Sequence, residues 1–66
     1  MKKANEAQFC AFIRVLHNRY NSVMLTQRKQ EALASVKRYA EEWISEHELE
    51  AWMVDAYNMT IRILSN

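Results

Sequence analysis

Apolar residues recur at helical spacing in three runs, separated by short polar stretches. The first run is Phe9, Phe12, Ile13, Leu16 and Tyr20, one face of a helix from about residue 6 to residue 20. Asn5 is its N-cap, Glu6 puts negative charge in the first turn, and Gln8 stands at the third helical position. The other face, Gln8, Ala11, Val15, Asn18 and Arg19, is mixed rather than strongly polar. Asn and Ser then cluster between Asn18 and Thr26, which makes Asn21-Ser22 the best turn candidate, with continuation to Val23 as the alternative.

The second run is Leu33, Val36, Ala40 and Trp43, widened by Tyr39 and Ile44. It predicts a helix over about 27–43. Thr26 is its candidate cap and Ser22 competes, while Arg28 and Lys29 carry the wrong charge for a helix start.

The third run opens on the clearest start signal in the chain. With Ser45 as N-cap, its hydroxyl can accept from the Glu48 N–H while the Glu48 side chain reaches back, which is a capping box. Ile44 and Leu49 occupy the two positions of a hydrophobic staple. A helix over about 46–64 follows, with Leu49, Met53, Ala56, Thr60 and Ile63 on one stripe, widened by Trp52 and Met59. Val54, Tyr57, Ile61 and Leu64 form a second stripe. An ordinary surface helix has one, so this helix calls for two sets of neighbours.

These elements predict an all-α three-helix bundle. One alternative shares the pattern: 3-4 spacing continued past His47 reaches Glu50, Val54, Tyr57, Ile61 and Leu64. Helices 2 and 3 would then fuse into a rod of roughly 58 Å, giving a helical hairpin within a dimeric bundle. The break is the better reading, because cap and staple coincide where the seam fails.

Composition agrees with helix throughout. Among 66 residues there is no Gly and no Pro, 50% are hydrophobic and 26% charged, and the chain reads as a single all-helical domain over 1–66. Met1 to Ala4 reads as a short basic tail, frayed at its end. Ordering so short a chain costs on the order of 1.5 kcal/mol per residue, and domains of this size usually carry a staple. A lone Cys10 makes no internal disulfide, and His17 and His47 are too isolated to suggest zinc, so neither metal nor cofactor is expected. Tight packing or oligomerisation is left to supply the stability. The lone cysteine, with no secretory segment and no apolar run of about 18 residues, points to the cytoplasm and away from membranes.

Charge is strongly divided. Residues 1–40 balance to +6 and residues 41–66 to −5, beneath a net charge of +1. Arg14, Arg19, Arg28, Lys29, Lys37 and Arg38 are the candidate nucleic-acid contacts, although the turn lacks the glycine usual in a helix-turn-helix. Cys10 and His17 lie two turns apart, about 10 Å of rise, too far for a nucleophile and its base. His47 among Glu46, Glu48 and Glu50 suggests acid–base chemistry by composition, but neighbouring positions on a helix point in different directions. No catalytic residue is assigned. The seven aromatic residues, including Trp43 and Trp52 on either side of the corner, suit packing first and interface anchoring second.

The expected function is therefore a small non-enzymatic helical protein-interaction module or regulator acting as a homodimer. Trp52, Val54, Tyr57, Ile61 and Leu64 are the expected self-association residues. The alternative is a small DNA-binding regulator using the basic residues of helices 1 and 2. Small size without motifs is typical of accessory regulators, including those of phages and plasmids.

Overall fold

The computed structural model describes residues 2–66. Three helices, α1 (Glu6–Met24), α2 (Lys29–Ser45) and α3 (Ala51–Ser65), carry the fold. Two short strands, β1 (Lys2–Lys3) and β2 (His47–Glu48), pair in parallel beside them. Aromatic contacts fix the directions of the helices. Phe12 meets Trp43 and Tyr39 while Arg19, further along α1, also meets Tyr39, so α1 and α2 are antiparallel. Phe9 meets Trp52 and Phe12 meets Tyr57, so α1 and α3 run the same way.

The start of α1 follows its sequence signal. Gln8 N–H donates to Asn5 Oδ1 at 2.7 Å and Asn5 N–H donates to Gln8 Oε1 at 3.1 Å, closing a capping box. The helix runs one turn beyond Tyr20, so Asn21 and Ser22 lie inside it as exposed residues rather than in a turn. The turn comes later, where Thr26 N–H and Gln27 N–H both donate to the Val23 carbonyl, at 3.1 and 2.8 Å. Thr26 therefore caps nothing. Arg28 takes the cap position of α2, and because a guanidinium has no acceptor only half a box forms, with Arg28 N–H donating to Glu31 Oε2 at 3.3 Å.

The largest departure from the sequence reading is at Ser45. Instead of opening α3 it is the last residue of α2, and its hydroxyl donates back to the Glu42 carbonyl at 2.7 Å. His47 closes the helix end, its Nδ1 standing 2.8 Å from the Trp43 carbonyl oxygen. A carbonyl only accepts, so Nδ1 carries the proton, a second donor to the carbonyl that already accepts from Glu46 N–H at 3.1 Å. The chain then enters β2 and pairs with β1, and Ala4 N–H donates to the Glu48 carbonyl at 3.0 Å. Ala4 is only 2% exposed. Residues 2–4 are thus a strap across the α2–α3 corner and not a frayed tail; Met1 lies outside the described residues. α3 begins at Ala51, with extended Glu50 before it and the Glu50 carbonyl accepting from Met53 and Val54 N–H. Five residues, Glu46 to Glu50, separate α2 from α3, so the fused rod does not form.

The core takes Phe9, Phe12 and Leu16 from α1, Ala32, Val36 and Ala40 from α2, and Met53 and Leu64 from α3. Thr60 is also buried, and its hydroxyl donates to the Ala56 carbonyl at 2.9 Å, which removes the cost of placing a polar atom there. Among the described residues no buried side-chain nitrogen or oxygen lacks a partner.

Candidate interaction surfaces

Two surfaces stand out: the outward side of α3 and a groove between α1 and α2. On α3 the buried residues Met53, Thr60 and Leu64 define the inward line, with Ala56, Tyr57 and Ile61 half-buried beside it. Outside it, Trp52 (45% exposed), Val54 (43%), Met59 (60%) and Ile63 (58%) remain open. The five expected self-association residues are therefore divided. Leu64 is in the core, Tyr57 and Ile61 pack against it, and only Trp52 and Val54 are exposed. Those two are about 200° apart around the helix and cannot share one flat interface.

Met59 and Ile63, outside that set, are the most exposed large apolar residues of α3. They share a flank with Trp52, whose ring is anchored edge-on to Phe9 at 5.4 Å and half open otherwise. Both belong to the first stripe of the sequence pattern, whose Met53 and Thr60 turn inward while Met59 and Ile63 stay open. Tyr57 is held on the inner side, stacked on Phe12 at 6.3 Å. Burial, and then the negative charge of Glu41, raise its phenol above the ordinary value of 10.0.

The groove between α1 and α2 has a volume of about 250 Å³ and is lined by Gln8, Ala11, Phe12, Val15, Tyr39, Trp43 and His47. Its floor is a ladder of flat groups. Arg19 lies 4.8 Å from the Tyr39 ring centre, and Tyr39 stacks on Phe12 at 6.2 Å. Phe12 stacks on Trp43 at 4.1 Å, and Trp43 on His47 at 3.9 Å. Trp43 thus has Phe12 and His47 as its two stacking partners. Both partners belong to the same chain and take up the Trp43 ring that a cation or flat ligand would use. The chemistry of the ladder is that of packing.

The six candidate nucleic-acid residues are dispersed. Arg19 and Arg38 line one depression together with Glu42, whose carboxylate lowers the positive potential a phosphate would meet. Arg28 and Lys29 stand at the other end of α2 from its Trp43 region, and Arg14 and Lys37 are exposed on α1 and α2. Cys10 is exposed on α1. Among the described residues no three His, Cys, Asp or Glu side chains converge to hold a metal ion, and no helix is long and apolar enough to cross a membrane. His47, which composition placed in an acidic cluster, is engaged at the α2 terminus through Nδ1.

Comparison with protein-family models, with curated proteins and with solved structures finds no match to this chain.

Proposed function

We propose that this chain is a small non-enzymatic helical protein-interaction module, or regulator, that works as a homodimer through the outward flank of α3. One observation carries the reading: Trp52, Met59 and Ile63 remain open on one side of a 15-residue helix whose other side already fills the core. Large apolar side chains grouped on one face are costly to leave in water and mark contact sites. A half-anchored tryptophan beside an adaptable methionine suits a contact that forms and releases.

Sedimentation over a range from about ten to several hundred micromolar tests it, since a single-helix interface lies at the small end of the size scale. Wild-type chain should show concentration-dependent association, and Met59→Glu should remain monomeric with unchanged helicity. A wild type that stays monomeric throughout that range overturns the reading. So does steeply salt-dependent binding to duplex DNA that disappears when Arg19 and Arg38 are both replaced by Ala, which would transfer the function to nucleic acid.

A further inference from the structure

Asp55 and Arg62 are both exposed on α3 and lie seven residues apart. Seven residues bring a straight helix back to within about 20° of the same direction, after about 10 Å of rise. The two opposite charges therefore stand in one row. That row borders the open apolar flank, for Asp55, Asn58, Met59 and Arg62 line a single shallow depression. Beside it, Trp52, Ala56, Met59 and Ile63 follow one another at 4-3-4 spacing, the spacing of a helix–helix seam. Ala56, the small member of the line, allows a close approach.

We propose, resting on the self-association reading above, that the occupant of this flank is a second copy whose α3 lies antiparallel, with Asp55 of each chain facing Arg62 of the other. A two-fold axis perpendicular to α3, passing through the seam at the level between Asn58 and Met59, exchanges positions 55 and 62 of the two copies. It also brings Met59 of one copy beside Met59 of the other, next to the depression. Charge decides the orientation. An antiparallel pair closes two contacts of opposite sign, because a two-fold interface repeats each contact. In a parallel pair the two-fold axis runs along the helices and places the charged rows of the two copies on opposite sides of the seam, each against the Met53 and Thr60 side of the other chain, so no opposite charges meet. On the other side of the seam stand Met53 and Thr60, both buried in their own chain, so no charge enters there to reverse the preference.

The experiment is sedimentation of the full chain at low ionic strength, with circular dichroism on every variant. Asp55→Arg alone and Arg62→Asp alone each turn two attractions into two repulsions, and each should weaken the dimer about ten-fold or more. The double swap, Asp55→Arg with Arg62→Asp, should regain nearly the wild-type association, and added salt should narrow all the differences. Should either single variant lose helicity, Asp55→Asn and Arg62→Gln replace the pair, each expected to weaken association a few-fold. Single substitutions without effect, or a double swap no tighter than the singles, overturn the antiparallel pairing. In that case concentration-dependent association of the wild type, lost in Met59→Glu, leaves the self-association reading standing. A monomeric wild type removes both.

Discussion

Phe12 is where the fold is most exposed to test, because its ring meets aromatic partners from all three helices. Phe9 of α1 lies 5.9 Å away centre to centre, Tyr39 and Trp43 of α2 at 6.2 and 4.1 Å, and Tyr57 of α3 at 6.3 Å. The side chain is almost wholly buried. Replacing a buried Phe by Ala costs about 3–5 kcal/mol from lost transfer energy and the cavity left behind. Lost aromatic geometry puts Phe12→Ala at the upper part of that range, because each ring pair contributes about 0.5–1.5 kcal/mol beyond its area. For 66 residues the whole stability is of order 3–10 kcal/mol. Phe12→Ala should therefore be largely unfolded, or nearly so, at room temperature.

A companion substitution keeps the reasoning open to refutation even if that variant never folds. Phe12→Leu retains most of the volume and should cost roughly 1–2 kcal/mol, mainly the ring contacts. Val15→Ala, on the same helix but partly exposed, should cost under about 1 kcal/mol. Urea unfolding followed by far-ultraviolet circular dichroism, at one low protein concentration so that association does not enter, measures all three. A Phe12→Ala chain with wild-type stability would refute the ladder as the organising contact, as would a Val15→Ala chain that loses as much as Phe12→Leu.

Two further substitutions separate competing physical accounts. Ser45→Ala should change stability by less than about 0.5 kcal/mol, because an exposed hydroxyl at the end of α2 is removed, whereas Asn5→Ala should cost about 1 kcal/mol by deleting a working N-cap; thermal melts in which Ser45→Ala is the costlier would return the start of α3 to residue 45. Tyr57 stays neutral to higher pH when folded than when unfolded, so its contribution is intact below about pH 10 and declines as the pH rises beyond the unfolded value; Tyr57→Phe should flatten that alkaline decline, and an unchanged slope between about pH 9 and 11 would assign it to other groups.

What could be read in the sequence is what depends on neighbours in the chain. The Phe9, Phe12, Leu16 line and the Asn5 cap are local, and both appear as expected. The Ser45 box was equally local and failed, because a serine three residues before a glutamate can serve either end of a helix. What decided it was the His47 side chain on the Trp43 carbonyl and the pairing of residues 47–48 with residues 2–3. No short-range pattern announces a partner strand of two residues at the far end of the chain. The missed half of the α3 surface has a different cause. Periodicity shows how wide an apolar arc is, but Leu64 and Ile63 differ by only about 100° around the helix. Which of them turns inward is set by the position of α1 and α2.

That rotation also changes what self-association can mean for this protein. A chain so short, with neither disulfide nor glycine-built turns, could have needed a second copy to complete its core. It does not: Leu16, Val36, Ala40 and Met53 are each fully buried within one chain, and Phe9 and Phe12 nearly so. The residues left open, Trp52, Met59 and Ile63, stand outside that cluster rather than as gaps in it. Folding and pairing are therefore separable in the proposed dimer. A chain carrying Met59→Glu should be as helical and nearly as stable as wild type measured at low concentration, and should differ from it only where the wild type gains stability with concentration. Loss of the fold itself in that variant, at a concentration where wild type is monomeric, would place Met59 in the core and undo the division between an inner and an outer face of α3.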